Sequence, residues 1–163
     1  MSLLGQLTYI LGLQISQQDK GIFIYQTKYI KEMLNKFKVE DYKPVLTPMV
    51  IGCTLSLDDS TKNVDQRLYR YMIGSLLYVT TSRPNVMQAV GKVVRFQAVP
   101  KESHIIDVKR ILRYLKVTTE YGLGYPKGNN LVIQAYTNSY WAGSVDDRKS
   151  SILSRWFPCF MVK

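Results

Sequence analysis

The sequence predicts an α+β fold, a helical middle flanked by one β-hairpin near each end. Three observations predict it. Residues 27–38, 66–81, 85–97 and 103–118 repeat apolar side chains at helical spacing. "LTYILGLQIS" and "GIFIYQ" near the start are rich in β-branched and aromatic residues. "YGLGYP" and "LVIQAYT" near the end flank the turn "KGNN".

Taken in order, Leu7–Ser16 reads as a strand, and a polar break at Gln17–Lys20 leads to the second strand of a hairpin. Thr27 is the expected cap of the first helix, where Ile30, Met33, Leu34 and Phe37 form one apolar face among Lys28, Lys31, Lys36 and Lys38. Pro44 and Pro48 keep Lys43 and Thr47 out of helical geometry, so residues 41–64 should be an extended, loop-rich connection. Gln66–Ser82 is apolar on most of its surface and should be central, ending at Arg83–Pro84. The third helix should start on an Asn85 cap and stop before Pro100. The fourth should start on a Ser103 cap, with Ile105, Val108, Ile111, Leu112 and Leu115 turned inward. The second hairpin should join "YGLGYP" to "LVIQAYT", and the last stretch, "ILSRWFPCFMVK", is aromatic and unpatterned.

With 163 residues, 46% apolar and 21% charged, the chain is long enough to bury a core without staples. No apolar run approaches the roughly 18 residues of a membrane span. Met1–Ile10 lacks the basic start and cleavage site of a signal peptide, so the expected location is intracellular, cytoplasmic or nuclear, with no membrane partner. Cys53 and Cys159 are too few and too far apart for a zinc site or a disulfide framework. The net charge is +10, carried unevenly: residues 1–81 hold 9 basic and 7 acidic side chains, residues 82–163 hold 13 and 5. A localised basic field attracts polyanions. Lys109, Arg113 and Lys116 share one face of the fourth helix, with Arg110 to the side, and Lys92 and Arg95 share a face of the third. Cations so placed neutralise phosphates without reading bases. A solvated helix face explains the same spacing.

The residues offer little catalytic chemistry. The only histidine, His104, lies beside a helix cap, where a surface position is expected. It has no nucleophile elbow or cysteine partner. "GLGYPKG" has glycines but belongs to a hairpin rather than a phosphate loop. The adjacent acid pairs, Asp58–Asp59 and Asp146–Asp147, read as solvated turn acids rather than a two-metal site.

Five blocks, "LLGQLTYILGLQISQ", "GIFIYQTKYIKEMLNKFKVEDYKPVLTPM", "LYRYMIGSLLYVTTSRPNV", "RFQAVPKESHIIDVKRILRYLKVTTEYGLGY" and "AYTNSYWAGSVDDRKSS", resemble in order and spacing the back half of the reverse transcriptase of copia-type LTR retrotransposons. The resemblance covers residues 1 to about 151 and implies an organisation. Residues 1–26 would be the end of the palm, with Leu11 and Gly12 in a primer-grip-like hairpin. Residues 27–120 would be a helical thumb and connection, 121–151 the truncated first strands of RNase H, and 152–163 a degenerate tail.

The polymerase acids of that family lie upstream of the matching blocks. Its RNase H acids would stand at "NSYWAG", where this chain has Asn138 and Tyr140. A neutral amide binds a divalent cation far more weakly than a carboxylate. The resemblance therefore implies a catalytically inactive Pol polyprotein fragment with no catalytic residue, no metal site and no cofactor, whereas intact family enzymes would use magnesium. Its expected partners are an RNA/DNA or DNA duplex, bound without sequence preference through Lys92, Arg95, Lys109, Arg113 and Lys116, and the missing palm and RNase H segments of a polyprotein. Two alternatives stand beside it: a module active only when a palm is supplied, and a co-opted, effector-like interaction protein with no nucleic-acid role.

Overall fold

The computed structural model describes residues 5–50, 52, 54–57, 60–128, 134–140, 146, 151–157 and 160–162, the strands after residue 128 by their backbone. Cys53, Asp58, Asp59, Asp147, Arg148, Lys149 and Cys159 lie outside the described residues, as do the side chains of Asn138 and Tyr140. The elements are β1 (Tyr9–Ile10), β2 (Leu13–Gln18), β3 (Gly21–Tyr25), α1 (Thr27–Lys36), α2 (Gln66–Val79), α3 (Pro84–Val94), α4 (Glu102–Val117), β4 (Gly122–Pro126), β5 (Gln134–Tyr140), β6 (Ser151–Phe157) and β7 (Phe160–Val162). The α+β class and the four helices are as the sequence predicts.

The strand partners differ from the expectation. β4 pairs not with the strand that follows it but with β3, from Tyr25↔Gly122 to Gly21↔Pro126. β7 lies on its other side, so the order is β1-β2-β3-β4-β7, all antiparallel. β5 pairs with β6 in the C-terminal hairpin. The N-terminal stretch is also divided, because Leu11 (φ 48°) and Gly12 (φ 81°) both take left-handed conformations. Two such residues make the tight turn that joins β1 to β2. Leucine adopts that region at a cost of about 1–2 kcal/mol. The Tyr78 hydroxyl, donating to the Leu11 carbonyl, fixes the turn against α2.

The helices form where the apolar period says, and their caps lie one or two residues earlier. Gln26, Arg83 and Lys101 occupy the N-cap positions expected for Thr27, Asn85 and Ser103. Two of the displaced side chains serve other elements. Thr27 Oγ1 donates to the Thr119 carbonyl at 3.0 Å and Asn85 Nδ2 to the Tyr114 hydroxyl at 2.7 Å. Pro84, at the first position of α3, gives up an amide that has no helical partner there in any case. Only α2 begins conventionally, with the Asp65 carboxylate accepting from the Arg67 amide at 2.9 Å. α1 ends in a Schellman motif: Lys38 is left-handed (φ 53°), the Val39 amide reaches the Leu34 carbonyl at 3.0 Å, and the Lys38 amide reaches Asn35 at 2.9 Å. Val39 and Leu34, both buried, supply the apolar contact that accompanies it.

The core belongs to the helices. Ile30, Met33 and Leu34 meet Tyr69, Met72, Ile73, Leu76 and Val79 of α2, Val86, Ala89, Val90 and Val93 of α3, and Val108, Ile111, Leu112 and Leu115 of α4. Tyr69 carries the one hydroxyl among these, and it donates to the Val93 carbonyl at 2.8 Å. Burial, with a smaller push from Asp107, raises the Tyr69 phenol far above its ordinary range. An unfolded tyrosine ionises near pH 10, whereas this folded one keeps its proton. Its contribution to stability is therefore complete below pH 10 and falls as pH rises beyond it. Tyr69→Phe should cost about 1–2 kcal/mol at pH 8 through the lost hydrogen bond. The gap to the parent should narrow above pH 10. Urea midpoints at pH 8 and 10.8 check this, and a constant gap would contradict it.

Candidate nucleic-acid interface

α4 positions the cations singled out in the sequence. Its buried face carries Val108, Ile111, Leu112 and Leu115, so Lys109, Arg110, Arg113 and Lys116 fall on the side facing away from the core. They are not free. The connection after α1 lies over them. Arg113 Nε donates to the Lys43 carbonyl at 2.6 Å, and Lys116 Nζ donates to the carbonyls of Glu40 and, at 3.2 Å, Tyr42. Arg110 donates to Thr47 Oγ1 at 2.9 Å, and the Lys109 ammonium stands 5.6 Å from the centre of the Tyr42 ring. Lys109, Arg113 and Lys116 are thus brought together as their spacing implies, and Arg110 joins them. What holds Arg113 and Lys116 is backbone oxygen, an acceptor every residue has, so no sequence signal announces it.

Lys92 and Arg95 are exposed at the end of α3, outside these contacts. Leu11, 85% exposed, and Gly12 sit in the β1–β2 turn against Tyr78 of α2. A side chain at Gly12 would press on the Tyr78 hydroxyl, 2.8 Å from its Cβ.

His104 corrects the surface reading. It is fully buried, stacked on Phe96 with ring centres 4.0 Å apart. Its Nδ1 accepts from the Lys101 amide at 3.2 Å and its Nε2 lies 3.1 Å from the Ser56 carbonyl. It caps α4 and ties down the connection. Asp146 works on the same segment, accepting from Ser56 Oγ at 2.7 Å and the Leu57 amide at 3.2 Å. Its carboxylate serves the loop.

A second group of aromatic and cationic side chains lies between α1 and α2. Lys36 donates to the Tyr71 hydroxyl and stands 4.3 Å from the centre of that ring, while Phe37 meets it edge-on at 5.5 Å. Together with Tyr29, Glu32, Met33 and Ser75 they line a cleft of about 150 Å³. Among the described residues no helix is long and apolar enough to cross a membrane.

No family model matches the chain, and no solved structure matches it. Curated relatives do. It is 38% identical over 146 residues to the retrovirus-related Pol polyprotein from transposon RE1 of Arabidopsis thaliana, covering 90% of this chain and 10% of that protein. The corresponding polyprotein from transposon TNT 1-94 of Nicotiana tabacum is 35% identical over 157 residues, 91% of this chain and 12% of that one. The mitochondrial protein AtMg00810 of Arabidopsis thaliana is 36% identical over 148 residues, and the chain covers 61% of it. The chain spans about a tenth of the length of the transposon polyproteins it matches. With nine-tenths of its residues aligned to them at 35–38% identity, the chain is similar to one segment of the retrovirus-related Pol polyproteins of copia-type transposons.

Proposed function

We propose that this chain is a non-catalytic segment of such a Pol polyprotein, its helices corresponding to thumb and connection, and that it holds a nucleic-acid duplex weakly and without reading sequence. The match along nine-tenths of the chain to transposon Pol polyproteins carries this reading. The charge of +10 and the cation row on α4 support it, since sequence-independent affinity comes from phosphate neutralisation. Asn138 and Tyr140, standing where the resemblance expects acids, offer an amide and a phenol. That donor set does not suit magnesium. The reading therefore includes no metal-dependent phosphoryl transfer.

Two measurements test it. Neutralising about 3–5 phosphates should give a log-log salt slope of roughly −3 to −4.5, with affinity no better than micromolar near physiological salt. Changing Lys109, Arg113 and Lys116 together to Ala should flatten that slope by up to about 3 units in a variant shown to be folded. Fluorescence anisotropy against an RNA/DNA hybrid reads both, and identical slopes would remove the nucleic-acid role. The purified chain should not cleave the hybrid with magnesium, even after Asn138→Asp and Tyr140→Asp. Cleavage above a no-enzyme control would overturn the non-catalytic half. One observation favours a second reading, an interaction protein with no nucleic-acid role: the α4 cations already hold carbonyls of their own chain.

A further inference from the structure

We propose that residues 40–47 form a displaceable strap over a phosphate-binding row on α4, so that the free chain masks with its own carbonyls the cations a nucleic-acid backbone takes. The inference rests on the duplex-holding reading above and adds to it a means of regulation. In the contacts described, the four cations meet only neutral groups: the Tyr42 ring, the Thr47 hydroxyl, and the carbonyls of Glu40, Tyr42 and Lys43. Hydrogen bonds from a cation to an ionised acceptor are shorter and stronger than those to a neutral one. A phosphate therefore outcompetes a carbonyl for the same donors. The row from Lys109 to Lys116 runs about 10 Å along the helix, over which a duplex presents on the order of six phosphates.

Among the described residues, the strap itself is weakly held by anything else. Backbone bonding from α1 carries through Val39 to the Tyr42 amide, 3.1 Å from the Val39 carbonyl. Beyond it Pro44 has no amide to give. Tyr42, Lys43, Pro44, Leu46 and Thr47 are exposed, Leu46 by 84%. The contacts that hold this stretch down come from the very cations it masks. The Schellman end of α1 and the partly buried Met49 on the core fix the strap on either side, so it can lift without unravelling the helix before it.

The test compares the full chain with a version whose residues 42–47 are replaced by a Gly/Ser stretch of equal length, each titrated by anisotropy with a labelled RNA/DNA hybrid at several salt concentrations. Unmasking should tighten binding about 10-fold at an unchanged salt slope, because the same cations are engaged once bound. Equal or weaker binding by the replaced chain, with the parent binding as expected, overturns the strap and leaves the duplex-holding reading intact. No binding by either folded chain at low salt overturns both. If the replaced chain does not fold, the double variant Tyr42→Ala, Thr47→Ala decides: it removes the two side-chain contacts alone and should bind about 2- to 3-fold tighter, and no gain counts against the strap.

Discussion

Gly122→Ala should cost about 3 kcal/mol of stability, while Gly74→Ala should add about 0.5–1 kcal/mol. The opposite signs follow from what a Cβ meets. At Gly122 it would overlap the Ile24 carbonyl oxygen and come within 2.8 Å of Phe23 Cζ and 2.9 Å of Tyr25 Cβ. The nearest obstruction is the Ile24 carbonyl oxygen, and Tyr25 Cβ is fixed directly to the backbone of β3, so neither can rotate away. At Gly74, on the exposed side of α2, nothing lies within 4 Å, so alanine only reduces the freedom of the unfolded chain. Urea midpoints give both numbers. Amide hydrogen exchange supplies the location: in Gly122→Ala the amides of Gly21–Tyr25 should lose protection, because β4 is their partner. Unchanged β3 protection together with unchanged stability would mean that Gly122 does not stand against β3.

That pairing marks the boundary of what the sequence discloses. The helices were legible because their evidence is local: Ile30, Met33 and Leu34, or Val108, Ile111, Leu112 and Leu115, lie on one face whatever else the chain does. "GLGYP" was equally legible as a strand, but alternation and glycines specify a conformation, not a partner. Its partner β3 lies nearly a hundred residues earlier. His104 was misread for a related reason. The Ser56 carbonyl that faces it comes from a distant part of the chain, and the Phe96 ring reaches it only because the chain turns back between α3 and α4. The α4 cations sit between these cases. Helical spacing placed Lys109, Arg113 and Lys116 together, and only the fold shows that the 40–47 strap lies on them.

Arg83→Ala should lose about 2–4 kcal/mol, and Arg83→Met should recover most of it. Arg83 is fully buried between the α2–α3 turn and the α4–β4 turn, its NH2 group donating to the Thr119 carbonyl at 2.7 Å. Thr27 donates to the same carbonyl, and Ser82 donates to Gln26 Oε1 at 2.6 Å, so this cluster joins the sheet to the helical body. Burial lowers the Arg83 guanidinium to about 10, only partly offset by Tyr114, Tyr121 and Glu120. The charge is thus a cost within the fold. Alanine removes the cost but opens a cavity and leaves Thr119 with one donor fewer. Methionine removes the charge while filling most of the volume, and a buried charge replaced by a well-packed apolar chain is often neutral for stability. Thermal or urea unfolding of both variants separates the terms. If methionine is as damaging as alanine, the hydrogen bond to Thr119 outweighs packing. If neither loses more than about 0.5 kcal/mol, within the range of ordinary surface substitutions, Arg83 does not hold the two layers together.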